Sequence, residues 1–260
     1  MSAPAYTRIP EVRYQGNIDR IRCIRGSRIN IRAELSETAG PSFFIFSGDT
    51  LDVLCREDTC KSTFIPEQSG TLGLVLRNAA GIRIREPLRY RVELEEDAYP
   101  GIDVIRPEPG EAMILTEAPD LPLMVRIRDD YGFSSLNVRY SVRSAYGREA
   151  DTAENTCEIP VGKAPGTRTV VDTWEIKEFI SPGSEIVYRF ELADNDTVSG
   201  PKTVSSRNYY ARFPTLGDLY EKQDRKQRSS MEALEEESAE SAELAEEIET
   251  IRRELLQEGS

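Results

Sequence analysis

The chain contains no histidine in 260 residues. That removes Ser-His-Asp and Cys-His activation of a nucleophile, the commonest general base, and every zinc site built with an imidazole. No apolar run approaches the roughly 18 residues of a membrane-spanning helix, and "MSAPAYTRIPEVR" lacks the apolar core of a signal peptide. Basic residues are outnumbered 33 to 46, the formal charge is −13 and the pI is about 4.7. Nucleic acid and anionic membrane need clustered Lys and Arg, so neither is an expected partner, and the fragment itself is expected to make no membrane contact.

Hydrophobic residues are only 38% of the chain and charged residues 30%. This balance suits small domains with much surface, joined to something strongly solvated. From Tyr220 to Ser260 there are 13 acidic and six basic residues, so the solvated part is the C-terminal end.

Cysteine is scarce: Cys23, Cys55, Cys60 and Cys157. In "LDVLCREDTCKSTFI" two strand-like runs flank Arg56 to Thr59, which places Cys55 and Cys60 opposite one another across a hairpin. A disulfide there would contribute roughly 2 kcal/mol on the chain-entropy estimate. The alternative is a pair of reduced thiols in a cytosolic strand pair. Cys23 and Cys157 fall in different domains, and each is expected to be buried and unpaired.

Alternation with period two dominates what remains. Ile29, Ile31, Ala33 and Leu35 share one face of "RINIRAEL"; Leu72, Leu74 and Leu76 share one face of "TLGLVLRN"; Leu88, Tyr90, Val92 and Leu94 do so in "PLRYRVEL". Half-buried antiparallel strands read this way. With turn signals between them, residues 1–95 are expected to form a first immunoglobulin-like β-sandwich. A linker at about 95–101 follows. A second sandwich is expected over 96–213, from Leu121, Leu123, Val125 and Ile127, then Leu136, Val138, Tyr140 and Val142, then Ile186, Tyr188, Phe190 and Leu192. Trp174 is expected in its core. The fold class is therefore mostly β: two tandem immunoglobulin-like or fibronectin-III-like sandwiches, then an acidic C-terminal α-helix over 214–260.

Thr215 and Asp218 form a capping-box pattern at the start of that helix. Leu234, Ser241, Ile248 and Leu255 recur every seven residues, with Leu244 and Ile251 between them. The spacing matches a short a/d seam, the beginning of a coiled coil through which the chain would self-associate. The alternative is a solvated, fraying tail.

One loop carries the candidate site. "FELADNDTVSGPKTVSS" packs Asp194, Asn195 and Asp196 between two strand-like runs. In an immunoglobulin-like sandwich this connection lies at the same end as "IRDDYGFSSL", which carries Asp129 and Asp130. The linker acids Glu95, Glu96 and Asp97 arrive at that end too. Such a gathering of hard oxygen ligands is what Ca²⁺ requires, and "ADNDT" is loosely similar to the calcium-binding linker motif of tandem cadherin domains. The competing and favoured account has the same residues capping turns through their own backbone, with no cofactor. A third use is a surface for partner recognition.

"DDYGFSSLNVRYSV", "WEIKEFISPGSEIVYRFELADNDTVSGPKTVSS" and "RFPTLGDLYE" together resemble a bacterial family of unknown function. Its members are anchored in the inner membrane by N-terminal helices and carry immunoglobulin-like domains followed by long acidic coiled-coil helices. The resemblance implies an extracytoplasmic, periplasmic fragment of an envelope protein without its membrane helices, the alternative being the cytoplasm. It implies no catalytic residues. The expected function is a non-enzymatic interaction or scaffold module, docking other proteins through its sandwich surfaces and C-terminal helix. The alternatives are a calcium-stiffened, adhesin-like segment and, less favoured, an enzyme using paired carboxylates such as Asp129 and Asp194.

Overall fold

The computed structural model describes residues 1–16, 18–83, 88–108, 110, 113–115, 120–143, 153–178, 180–215, 217, 218, 220, 221, 223–225, 227–231, 234 and 237. In the first half these form β1 (Arg20–Ile24), β2 (Ile29–Glu34), β3 (Phe43–Phe46), β4 (Asp49–Leu51), β5 (Leu54–Arg56), β6 (Thr59–Phe64), β7 (Gly70–Val75) and β8 (Leu88–Glu95). One sheet has the order β1-β8-β7-β3-β4 and the other β2-β6-β5. Between them lies one core that includes Ile21, Ile29, Phe44, Cys60, Leu72 and Val92. The alternating apolar positions face inward, except that Leu88, at the start of its strand, is 39% exposed.

The second half forms β9 (Gly101–Arg106), β10 (Met113–Ile114), β11 (Asp120–Asp129), β12 (Phe133–Arg143), β13 (Asn155–Ile159), β14 (Gly166–Glu175), β15 (Glu185–Asp194), β16 (Thr203–Ser205) and β17 (Tyr209–Arg212). The sheet β10-β17-β15-β12-β13, with β16 also on β15, faces the sheet β14-β11-β9. Leu121, Leu123, Val125 and Ile127 from one sheet meet Leu136, Val138, Phe190 and Leu192 from the other. Trp174 is buried, edge-on to Tyr140 at 4.8 Å and to Tyr188 at 5.6 Å. Two separate cores, each between a pair of sheets, therefore follow one another along the chain.

Cys55 and Cys60 pair across β5 and β6 and are joined by a disulfide, with Cα atoms 4.0 Å apart. The connection is tighter than the expected four residues, because Arg56 and Thr59 still pair and only Glu57 and Asp58 turn. Cys23 is buried and free, and burial followed by the Glu95 charge pushes its thiol up to about 11. Cys157 is free but only half-buried, because β13 lies at the edge of its sheet.

Past Phe213 the described residues from 217 to 237 are helical. Their start is a reciprocal cap: the Asp218 amide donates to Thr215 Oγ1 at 3.1 Å and the Thr215 amide to Asp218 Oδ2 at 2.9 Å. Tyr220, Met231 and Leu234 are all more than 60% exposed, so this stretch packs little against the sandwiches. The heptad positions from Ser241 to Leu255 lie outside the described residues. Among the described residues no helix is long and apolar enough to cross a membrane.

Since both cores are complete by Phe213, truncation after Thr215 is expected to keep the melting temperature within a few degrees in calorimetry. Loss of a cooperative transition would mean that the helix packs back on a sandwich.

Candidate functional site

The joint between the sandwiches is five residues long, from the end of β8 at Glu95 to the start of β9 at Gly101. Asp97 in this joint turns inward, and its side chain is 5% exposed. Opposite it stands the loop that follows β15. Asp194 and Asp196 are also buried there, and the group between the three carboxylates is a side chain of the protein. Lys202 Nζ donates to Asp97 Oδ2 at 2.8 Å, to Asp194 Oδ2 at 3.0 Å and to Asp196 Oδ2 at 3.2 Å. An ammonium has three N–H bonds, and all three are used.

The second oxygens of these carboxylates shape the loop. Asp194 Oδ1 accepts from the amides of Asp196 and Lys202, at 3.1 and 2.8 Å. Asp196 Oδ1 accepts from those of Val198 and Ser199, at 2.7 and 3.1 Å. These are turn bonds of the kind Asp favours. The same two residues therefore fold the loop and face the lysine.

Neighbouring segments complete the joint. Asn195 Nδ2 donates to the carbonyls of Tyr131 and Tyr6, at 3.0 and 3.3 Å, tying together the β11–β12 turn and the N-terminal segment. Asp129 Oδ2 accepts from the amides of Tyr131 and Gly132, at 2.9 and 2.7 Å. Gly132 has φ +122, and a Cβ there would run into the Lys163 carbonyl, so glycine is required on both counts. Tyr6 is buried, donates from its hydroxyl to Asp97 Oδ2 at 3.3 Å and stands edge-on to Tyr131. The first sandwich touches the loop directly at Gly26, where an added Cβ would come within 2.8 Å of Val198.

Five expected site residues do not enter the cage around Lys202: Asp129 and Asn195 bond the surrounding backbone, as described, and Glu95, Glu96 and Asp130 lie outside it. Glu95 and Glu96 are exposed and pair instead with Arg22, at 3.9 Å, and Arg25, at 4.0 Å, on the first sandwich. Asp130 is exposed at the edge of the joint. Although the residue is exposed overall, partial desolvation of its carboxyl first, then the charges of Asp97 and Asp129, raise it above its ordinary range. Burial likewise raises Asp129, against the pull of its two amide donors. Lys202 and Tyr6 were not anticipated. Lys202 had a signal in the sequence: it is the one basic residue between Arg189 and Arg207. Tyr6 had none, since its contact with Asp97 spans 91 residues.

Strand order, paired cores and a polar joint define a mostly β protein of immunoglobulin-like or fibronectin-III-like sandwiches. No family model and no curated protein matches the chain. Among solved structures it is similar to fibronectin(III)-like modules of Clostridium thermocellum CbhA, at 13% identity over 76% of this chain and 90% of that one, with a TM-score of 0.26. It is also similar to a chimeric titin Z1Z2 tandem, at 11% identity over 77% and 96% of the two chains and a TM-score of 0.26. Trypsin-activated alpha-2-macroglobulin from Escherichia coli matches at 15% identity over 82% of this chain and 16% of that one, with a TM-score of 0.28. At such scores no position of this chain is equated with one of theirs.

Lys202→Met leaves three buried carboxylates without their cation. Breaking a buried pair on one side costs about 3–5 kcal/mol, and a loss of that size is expected in chemical unfolding. The melting temperature of the unmodified chain is expected to be equal in Ca²⁺ and in EDTA, while that of Lys202→Met rises with Ca²⁺. A response to calcium in the unmodified chain would show that the ion binds beside the lysine.

The joint also sets a pH window. Burial opposes the charge on Lys202, but the three carboxylates outweigh it and hold the amine well above the ordinary lysine value. Its contribution is therefore complete below about pH 10, the unfolded value, and is lost as pH rises through the folded one. Tyr6, kept neutral first by burial and then by Asp97, loses stability in the same direction. For Asp196, burial pushes upward, but the Val198 and Ser199 amides and Lys202 prevail and lower its carboxyl. Its contribution is present above about pH 4 and lost as pH falls through the folded value. Asp129 and Asp130, both raised, soften this acid limb, because their protonation favours the folded form. Thermal unfolding against pH is expected to show a decline above about pH 10 that is shallower in Lys202→Met. Equal alkaline slopes would contradict the role given to the lysine.

Proposed function

We propose that the chain is a non-enzymatic, extracytoplasmic scaffold module: tandem immunoglobulin-like sandwiches held as one stiff unit and leading into an acidic helix. The observation that carries this is the cage at the joint, where Asp97 of the linker and Lys202 of the second sandwich share buried ion pairs. A stiff joint fixes the relation of the two outer surfaces, as a docking platform needs. The carboxylates that an enzyme would use are already committed, Asp129 to two backbone amides and Asp194 to Lys202. The Cys55–Cys60 disulfide supports an oxidising compartment. The resemblance to membrane-anchored envelope proteins with coiled-coil tails supports the same setting, with the helix continuing into a coiled coil.

A calcium-stiffened segment remains the second reading on one observation. Asp97 Oδ1, Asp129 Oδ1 and Asn195 Oδ1 are buried with no hydrogen-bond donor. Against it, no group of three or more His, Cys, Asp or Glu side chains among the described residues is arranged to hold a metal.

The scaffold function is tested on full-length protein purified from envelope membranes without reductant. Mass spectrometry is expected to find Cys55 and Cys60 oxidised. The immobilised chain is expected to bind a co-purifying envelope protein saturably, and more weakly once Lys202→Met loosens the joint. Free thiols at both positions, or no saturable binding, would overturn the proposal.

A further inference from the structure

Among the described residues the strand β14 has one neighbour. All ten of its residues pair in register with β11, without a bulge, and among the described residues no strand covers its other edge. Sheet edges in soluble proteins are normally protected by lysine, proline, bulges or very short strands. β14 has none of these four, although its inner face carries two charges, Arg168 and Asp172. Thr167, Thr169, Val171 and Thr173 line its outer face, and Val171 is 68% exposed. The Thr173 amide donates at 2.8 Å to the neighbouring Asp172 carboxylate, and Thr173 stands opposite Pro122, which has no N–H to give. Its backbone groups therefore point to the open edge. By the alternation of an antiparallel ladder, those of Thr167, Thr169 and Val171 do so too.

Two charges on the inner side of the strand lack ionic partners among the described residues. Arg168 donates to the carbonyls of Gly162 and Ala164, at 3.0 and 2.6 Å, and lies over the Phe133 ring. No carboxylate pairs with it, and its Nε is buried without an acceptor. Asp172 accepts the Thr173 amide and pairs with no cation. Arg168 and Asp172 are four apart on a strand, hence on the same face.

We infer that β14 is a self-complementary docking edge, which pairs antiparallel with β14 of a second copy of this chain about a two-fold axis at Val170. That register sets Arg168 opposite the partner's Asp172, twice. It also sets Thr169 opposite the partner's Val171 and Thr167 opposite the partner's Thr173, pairings of β-branched side chains that favour strand association. Neighbouring registers lose the charge match. The Asp172–Thr173 bond is exchanged for a ladder bond, which frees the carboxylate for the guanidinium. Two three-stranded sheets become one of six strands. A contact of this length buries less than a standard interface of about 1,200 Å² or more, so the dimer forms weakly and with concentration. This inference does not depend on the envelope partner proposed above.

Sedimentation equilibrium of the full chain, from about 1 to about 500 μM, measures it, since weak association falls in that range. The unmodified chain is expected to pass from monomer to dimer. Asp172→Arg, which keeps every contact of Arg168, is expected to weaken the dimer about tenfold or more by setting like charges opposite one another. Arg168→Asp is expected to do the same, and the double exchange to restore association to within a few-fold. If Arg168→Asp fails to fold, Asp172→Asn replaces it and is expected to weaken the dimer less than Asp172→Arg. A chain that stays monomeric throughout, a dimer that Asp172→Arg leaves intact, or a folded double exchange that fails to restore pairing would each overturn the inference.

Discussion

One ammonium among three carboxylates governs the arrangement of this molecule. Asp97, Asp194 and Asp196 are each at most 5% exposed in their side chains, and left to themselves they would repel one another with little water to screen them. Lys202 offsets one charge directly. The rest of the compensation comes from backbone amides on Asp194 and Asp196 and from the Tyr6 hydroxyl on Asp97. Hydrogen bonds to a charged group are stronger than neutral ones, and each of these also fixes a stretch of chain. The cage thus sets the loop after β15, the linker and the N-terminal segment together.

That N-terminal segment extends the same constraint. Ser2 exchanges two backbone bonds with Arg28 of the first sandwich, while Arg8 reaches the Lys163 carbonyl of the second. Between them, Tyr6 covers Asp97. The segment lies across both sandwiches and closes the joint from one side, as Val198 against Gly26 does from another. The acidic helix contributes none of these contacts among its described residues. Its exposed Tyr220, Met231 and Leu234 are consistent with a tail that begins where the sandwiches are finished.

The strands were legible because burial on one face writes itself as alternation. Leu121, Leu123, Val125 and Ile127 could be placed in a core without any other information. The meeting of the β11–β12 turn with the loop after β15 was legible as well, since it follows from which connections share an end of a sandwich, although Asp130 stays outside the cage. What filled the space between the carboxylates was not. Cation ligands are recognised by their oxygens, and a single lysine beside a turn carries no such sign. Glu95 and Glu96 were misplaced for a different reason: at the end of β8, Arg22 and Arg25 of the adjacent segment offered nearer charges. Tyr6 depended on a contact across nearly the whole first sandwich, for which local pattern has no sign.

The joint depends on a Lys202 ammonium held, charged and shielded, between three carboxylates. The most direct test is the ¹H–¹⁵N NMR signal of the lysine side-chain ammonium groups near neutral pH, assigned with Lys202→Met. Exposed ammonium groups exchange protons with water too fast to be seen under these conditions, whereas a threefold hydrogen-bonded one is protected. A sharp ammonium resonance that disappears in the Lys202→Met spectrum is the predicted result. The absence of any such protected signal, or one that persists in that variant, would contradict the account.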